Sequence, residues 1–262
     1  MLSKFAVKNY KNFLEYTELN INMSYTQEDN NIKSSIILGD CGSGKSNLLH
    51  SIALIKLISE TKDINLYPIN KNPIELYYQF KFDSDIIDYK LNVSYLGKVL
   101  CDTLIINNKK IKKGDTIYNS KNNCTYTDLV NKLLSYINKI EYLPLGEFYF
   151  KQIDYKTISE TFINNDFIIN INQQSLLIID NIDTLPKVDI IKIFKQCEIK
   201  NIQLIASVRK PEIIKYKLID NYGYFNIVNN NVNRLVNRCN KYLYCNADIE
   251  KLYNVKFFKN MP

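Results

Sequence analysis

Three of the seven glycines in this chain fall within six residues, at positions 39, 42 and 44. They belong to the segment Gly39-Asp-Cys-Gly-Ser-Gly-Lys-Ser46, which fits the pattern G-x-x-x-x-G-K-S. An apolar run at 35–38 precedes the segment, and leucines and isoleucines at helical spacing follow it over 47–59. This pattern binds phosphate when it lies between a strand and a helix. The segment therefore predicts a phosphate-binding loop in an α/β domain.

The residue types in this loop suit the phosphate chain of a nucleotide. Glycines permit positive φ, so backbone N–H groups can point into one concavity, and the following helix N-terminus adds positive potential. Lys45 is expected to reach the β- and γ-phosphates, and the Ser46 hydroxyl to bind Mg²⁺. The predicted cofactors are ATP and Mg²⁺, and the predicted nucleotide-binding residues are Gly39, Gly42, Ser43, Gly44, Lys45, Ser46 and Asn47. The alternative is a glycine-rich turn that carries a lysine by chance, which leaves the flanking elements unexplained.

A second apolar run ends in an acid. Residues 176–180 read Leu-Leu-Ile-Ile-Asp, the pattern of a buried strand that ends in a carboxylate. Asp180 is the candidate carboxylate for Mg²⁺ beside the loop, so the predicted metal ligands are Ser46 and Asp180. The alternative is an ordinary acid at a strand end. The predicted catalytic residues are Lys45, Asp180, Asn181 and Asp183.

Hydrophobic periodicity predicts the remaining architecture. Alternation favours an N-terminal hairpin and an antiparallel meander, and helical spacing favours helices over 127–140 and 188–197. Apolar strands that alternate with helices imply a parallel sheet. We predict an α/β fold: a P-loop NTPase domain over 1–228, with a mostly parallel core sheet flanked by helices and an antiparallel β subdomain at about 73–112. A basic helical segment is predicted over 229–262.

Composition excludes several classes of site. One histidine, His50, cannot build a two-histidine metal hydrolase, and six cysteines without a C-x-x-C pair do not complete a zinc site. His50 lies one turn into the helix that follows the loop, and it is expected to be a packed or partly exposed side chain, with a catalytic role as the alternative. The net charge of +7 permits a polyanionic partner without requiring one. No run approaches the ~20 apolar residues that cross a bilayer, so no membrane contact and a cytoplasmic location are expected.

Two stretches together resemble a known family. Residues 5–13, Phe-Ala-Val-Lys-Asn-Tyr-Lys-Asn-Phe, and 36–49, Ile-Ile-Leu-Gly-Asp-Cys-Gly-Ser-Gly-Lys-Ser-Asn-Leu-Leu, resemble the start of ABC-type P-loop ATPases of the chromosome-maintenance and anti-phage defence groups. Residues 177–180 match the Walker B strand of that family. The resemblance implies an ATPase head that acts as a nucleotide-dependent switch or assembly module, as a homodimer or in a hetero-complex with an effector protein. The implied setting is a bacterial or phage-encoded defence or DNA-maintenance complex.

The residue after Asp180 departs from this family. Members that hydrolyse ATP efficiently usually have Glu there to polarise the attacking water, whereas this chain has Asn181. Asparagine can hold a water but cannot accept its proton, and Asp183 is the candidate substitute. A histidine that the family places after the next strand is also absent, and Arg209 or Lys210 is the candidate contact for the γ-phosphate. The implied activity is weak or degenerate ATP hydrolysis.

The C-terminal segment carries a spaced set of basic residues. Arg234, Arg238 and Lys241 fall at i, i+4 and i+7, which predicts a basic amphipathic helix. Its charges either stay in water or bind nucleic acid or an acidic protein, and the sequence leaves both interpretations open.

Two other functions also stay open. An AAA+ type DNA-replication loader or initiator would carry its arginine finger and lid helices after the Asp180 strand. A structural pseudo-ATPase would bind ATP without hydrolysing it. The strands that precede the loop favour the ABC type over the AAA+ type.

Overall fold

Six of the described strands form an antiparallel sheet. The computed structural model describes residues 1–21, 34–61, 71–111, 126–145, 175–209, 222–228 and 231–235. Numbered in chain order, the strands lie side by side as β2-β1-β4-β5-β6-β7, with the bounds β1 Leu2–Lys8, β2 Thr17–Asn20, β4 Ile74–Phe82, β5 Asp85–Val93, β6 Val99–Ile106 and β7 Lys109–Lys110. The predicted hairpin and meander are confirmed, and they share one sheet because β1 pairs with β4.

The other six described strands form a second sheet. Their order is β12-β11-β3-β10-β9-β8, with the bounds β3 Ser34–Leu38, β8 Ile140–Pro144, β9 Leu176–Asp180, β10 Gln203–Ser207, β11 Tyr222–Val228 and β12 Asn231–Leu235. Among these strands only β11 and β12 pair antiparallel. The predicted mostly parallel core sheet is confirmed.

The described helices cover the faces of this second sheet. Their bounds are α1 Lys45–Thr61, α2 Thr127–Asn138 and α3 Lys187–Ile199. Leu176 and Ile178 of β9 pack into one core with α1, α2 and the antiparallel sheet, whereas Leu177 and Ile179 pack into another core with α3. Burial on both faces explains why the parallel strands are apolar throughout. None of the described helices is long and apolar enough to span a membrane.

A buried glutamine joins the two sheets. Gln203, the first residue of β10, accepts hydrogen bonds from the Leu2 backbone N–H at 3.0 Å and from the Tyr136 hydroxyl at 2.6 Å. Its amide donates to the Leu2 carbonyl at 2.7 Å. Because Gln203 is completely buried, these bonds fix the positions of β1, α2 and β10 relative to one another.

Two predicted helix assignments need correction. The helix predicted over 127–140 ends at Asn138, because Ile140 starts β8 and pairs with Leu176 of β9. The helix predicted after residue 229 is wrong for Asn231–Leu235, which is strand β12, with Arg234 opposite Phe225 of β11. The remaining residues of that predicted helix, Arg238 and Lys241, lie outside the described residues.

The strand at 231–235 also bears on the predicted domain division. β12 pairs antiparallel with β11, so residues 231–235 of the segment 229–262 belong to the same sheet as the core strands. Backbone pairing with β11 supplies the hydrogen bonds that a helix would otherwise have made within the segment. Binding of nucleic acid through Arg234, Arg238 and Lys241 stays a prediction, although Arg234 lies in a strand and not in the expected helix.

Candidate functional site

The loop Gly39–Ser46 joins the end of β3 to the start of α1, as predicted. β3 ends at Leu38 and α1 begins at Lys45. The loop glycines have φ values of +150° at Gly39, +82° at Gly42 and +101° at Gly44. L side chains rarely adopt such values, so the conformation of the loop explains why glycines concentrate here.

Lys45 lies inside the loop. The residue is 5% exposed, and its Nζ donates hydrogen bonds to the carbonyl oxygens of Gly39 at 2.6 Å and Asp40 at 2.8 Å. Burial lowers the pKa of Lys45 below its ordinary value, and the Asp180 carboxylate opposes this shift. Within the described part of the chain, two of the three ammonium N–H groups are used, which leaves one for an anionic ligand.

Asp180 lies at the same edge of the parallel sheet as the loop. β3, β10 and β9 are parallel neighbours, so their carboxyl ends meet on one side. The Asp180 side chain is buried, and its Oδ1 accepts a hydrogen bond from Ser207 Oγ at 2.5 Å. Its Oδ2 is buried and has no hydrogen-bond partner among the described residues. A buried carboxylate oxygen in this position is suited to a cation.

The segment after β9 holds Asn181 and Asp183. Asn181 has a left-handed backbone, with φ of 55°, a conformation that asparagine tolerates better than most residues. Its backbone N–H donates to Ser207 Oγ at 2.8 Å, and its Oδ1 accepts from Arg209 Nε at 2.9 Å. The Arg209 backbone N–H donates to Asp183 Oδ2 at 3.1 Å. The structure thus brings Asn181, Asp183 and Arg209 together.

The charges suit an anion that carries a divalent cation. Besides the larger effect of burial, Asp180 and Asp183 raise the pKa of Lys45 and Arg209 lowers it, so these charged groups lie within electrostatic reach of one another. Among the described residues, no three or more His, Cys, Asp or Glu side chains are placed to hold a metal by themselves. Mg²⁺ usually binds one or two carboxylates together with phosphate oxygens and water. Asp180 Oδ2 and the partly exposed Ser46 on the first turn of α1 fit such a set.

A contact between the N-terminal turn and the loop was not predicted from the sequence. Asn47, a predicted nucleotide-binding residue, donates a hydrogen bond from Nδ2 to Asn12 Oδ1 at 2.6 Å. A Cβ atom on Gly44 would overlap Asn12 Nδ2 and lie 3.0 Å from Phe13 Cζ. The Asn-Phe pair belongs to the family resemblance, but nothing in its spacing indicates this contact. The turn between β1 and β2 therefore fixes the position of the loop.

His50 packs against two aromatic rings and stays partly exposed, as expected. Its ring stacks on Tyr10, whose hydroxyl hydrogen-bonds to His50 Nδ1, and its centroid lies 5.8 Å from that of Tyr142. Burial lowers the pKa of His50 to about 4, and the nearby Lys11 charge adds to this shift. His50 is therefore uncharged at neutral pH.

Alanine substitutions at two loop glycines should separate backbone strain from the contact with the N-terminal turn. Gly44→Ala is expected to lower the free energy of unfolding by about 2–5 kcal/mol, because strain at positive φ adds to the overlap with Asn12. At Gly42 the positive φ causes comparable strain, but no atom lies within 4 Å of the Cβ that alanine would add. Gly42→Ala is therefore expected to lower the free energy of unfolding by about 1–2 kcal/mol. Urea unfolding without nucleotide measures both. Equal losses would contradict a tight contact between the turn and the loop.

Comparison with solved structures finds SMC head domains. No family model and no curated protein matches the chain. The SMC head domain from Thermotoga maritima has a TM-score of 0.48 and 14% identity, over 91% of this chain and 99% of that one. An SMC head bound to the C-terminal winged-helix domain of ScpA has a TM-score of 0.49 and 11% identity, over 90% and 98%.

A third solved structure is of the same kind. It is an SMC head with an extended coiled coil, bound to the C-terminal domain of ScpA derived from Pyrococcus furiosus, with a TM-score of 0.48 and 10% identity over 89% of this chain and 95% of that one. Identities and TM-scores this low do not assign a function, so the function has to come from the chemistry of the site. That chemistry is a glycine-rich loop, a buried ammonium and a buried carboxylate at one edge of a parallel sheet.

Proposed function

We propose that this chain binds ATP with Mg²⁺ as an ABC-type ATPase subunit of weak hydrolytic activity. Its role would be that of a nucleotide-dependent switch or assembly module in a bacterial or phage-encoded defence or DNA-maintenance complex. The observation that supports the proposal most is the position of Lys45 and Asp180. Both are buried at the carboxyl edge of the parallel sheet, and their charges act on each other across the loop Gly39–Ser46.

Nucleotide binding follows from the chemistry of the loop. The N-terminus of α1 and the loop N–H groups attract the phosphates, and the Lys45 ammonium supplies a compact charge for the β- and γ-phosphates. Ser46 and Asp180 would hold Mg²⁺, which would neutralise phosphate charge when bound. Because the buried Oδ2 has no partner among the described residues, a cation there would satisfy an otherwise costly group.

Slow hydrolysis is inferred from the residues that follow Asp180. The Asn181 side chain is neutral, and its Oδ1 already accepts a hydrogen bond from Arg209. Asp183 is a carboxylate whose Oδ2 accepts the Arg209 backbone N–H, and it stays the candidate substitute base. Asn181 cannot accept a proton, so the position directly after Asp180 lacks a general base, a contribution typically worth ~10²–10⁴-fold in rate.

The N-terminal strands favour the ABC type over the AAA+ alternative. β1 and β2 precede the loop, and their connecting turn contacts it through Asn12 and Phe13. Through these contacts the turn of the antiparallel sheet lies against the loop that would bind the nucleotide. A pseudo-ATPase that binds ATP without hydrolysing it differs from the proposal only in the rate of ATP hydrolysis.

Calorimetric titration of the chain with ATP tests the proposal. ATP should bind in the presence of Mg²⁺ and should bind more weakly in EDTA, because the Asp180 carboxylate then faces the phosphates without a cation between them. AMP lacks the β- and γ-phosphates that Lys45 would hold, so it serves as the matched ligand control. Absence of ATP binding at millimolar concentration, or equal affinities for ATP and AMP, would refute the proposed function.

Assembly on ATP is a further expectation of this proposal. A nucleotide that binds a closed pair of heads better than single heads shifts the population toward the pair by that difference in affinity. Light scattering should therefore show the mass rise from one to two chains when a non-hydrolysable ATP analogue and Mg²⁺ are added. Lys45→Ala should stay at its starting mass. An unchanged mass in the unmodified chain would rule out ATP-driven homodimers and leave docking on an effector protein.

A further inference from the structure

We infer that Ser207 is a positioning residue that orients the Asp180 carboxylate toward Mg²⁺ and at the same time fixes the backbone of Asn181. The inference rests on the proposed function, since it concerns the metal position of the same site. Ser207 is the last residue of β10 and lies between the strand that leads into the loop and the strand that ends in Asp180.

The hydrogen bonds of the Ser207 hydroxyl determine its orientation. Its oxygen accepts the Asn181 backbone N–H at 2.8 Å, and it lies 2.5 Å from Asp180 Oδ1. A hydroxyl has one proton to donate, and Oδ1 of an ionised carboxylate can only accept. The proton therefore points at Oδ1, which holds the plane of the carboxylate and leaves Oδ2 as the oxygen for a cation.

The same hydroxyl links the metal position to the residue that would face the attacking water. The Asn181 N–H that it accepts belongs to a residue in the left-handed conformation, directly after Asp180. The fully buried Ser207 side chain thus fixes both the orientation of the Asp180 carboxylate and the backbone of the turn that follows it. Hydrogen-bond partners of metal ligands typically change metal affinity by ~10–100-fold when removed.

A second buried serine in the same sheet provides a matched control. Ser35 lies on β3 opposite Ile205 of β10, and it too is completely buried. Its hydroxyl has no hydrogen-bond partner within the described residues, unlike that of Ser207. Replacing either serine with alanine removes one buried oxygen from a parallel strand, but only Ser207→Ala removes a contact to Asp180.

The test measures ATP affinity by calorimetry over a range of Mg²⁺ concentrations and in EDTA. We expect Ser207→Ala to raise, by ~10–100-fold, the Mg²⁺ concentration at which half of the increase in ATP affinity is reached. ATP affinity in EDTA should stay within about twofold of that of the unmodified chain. Ser207→Thr keeps the hydroxyl and should restore the Mg²⁺ response, whereas Ser35→Ala should not alter it. In the Asp180→Asn background, Ser207→Ala should cause no additional shift, because its effect acts through that carboxylate.

Three results would overturn the inference. These are an unshifted Mg²⁺ response in Ser207→Ala, an equal shift in Ser35→Ala, and a shift that persists at full size in the Asp180→Asn background. If Ser207→Ala does not fold, Ser207→Cys, whose thiol is a weak donor, should give a smaller shift in the same direction, and no shift would again refute the inference. Failure of the proposed function is recognised separately, because Lys45→Ala would then bind ATP as the unmodified chain does.

Discussion

Lys45→Ala is expected to weaken ATP binding by about 10–100-fold. A hydrogen bond to a charged group contributes about 1.5–3 kcal/mol, and each 1.4 kcal/mol changes affinity tenfold. The Lys45 ammonium is held by the Gly39 and Asp40 carbonyls, within electrostatic reach of Asp180. The group is therefore already placed at the loop and needs little reorganisation to contact phosphate. Calorimetry with ATP and Mg²⁺ measures the loss.

A second lysine on α1 supplies the control for this prediction. Lys56 also donates a hydrogen bond from Nζ to a backbone carbonyl, that of Ile140, at 2.7 Å, but it lies three turns farther along the helix. Lys56→Ala removes the same charge and side chain, so it should leave ATP affinity within about twofold of the original value. Equal affinity in Lys45→Ala and Lys56→Ala would refute the assignment of the loop as the phosphate site.

The parts of the site that the sequence predicts are those with a local signature. A glycine pattern between an apolar run and a helical run specifies the loop Gly39–Ser46, because only glycine adopts its positive φ values without strain. Asp180 can be identified because four buried apolar residues precede it in a strand. The parallel sheet follows from the same alternation of strands and helices.

The parts that the sequence does not predict depend on contacts between distant segments. Ser207 is 27 residues from Asp180 along the chain, and nothing in its own neighbourhood marks it as a partner of a carboxylate. Asn12 is 35 residues from Asn47, and their contact requires the antiparallel sheet to lie against α1. Long-range hydrogen bonds of this kind follow from the packing of the sheets, which periodicity alone does not specify.

Strand β12 illustrates why periodicity gave the wrong element. In the sequence Asn231-Val-Asn-Arg-Leu235, Val232 and Arg234 fit a helical spacing with later residues, but they also fit a strand with period two. The register with β11 places Val232 opposite Ile227 and Arg234 opposite Phe225. Five residues are too few to separate the two periods, so the available pairing partner decides the outcome.

Asn181→Glu is expected to raise the rate of ATP hydrolysis by about 10²-fold, the lower end of the range for a general base. Glutamate can accept a proton from the attacking water, which asparagine cannot. The expected gain in rate lies at the lower end because Arg209 would pair with the new carboxylate and lower its pKa, which makes it a weaker base. Arg209 Nε already donates to Asn181 Oδ1 at 2.9 Å. Turnover of ATP by the purified chain, unmodified and variant, measures the effect.

Asn181→Gln is the matched control for this variant. Glutamine has the length of glutamate and the same strain in the left-handed conformation at φ of 55°, but it has no charge. A rate that rises in Asn181→Glu and not in Asn181→Gln would therefore come from the carboxylate. Turnover of the unmodified chain well above ~1 s⁻¹, within the ordinary range of enzymes, would contradict slow hydrolysis. In that case a marked loss in Asp183→Asn would identify Asp183 as the base, since its Oδ2 is held at 3.1 Å by the Arg209 backbone beside the same site.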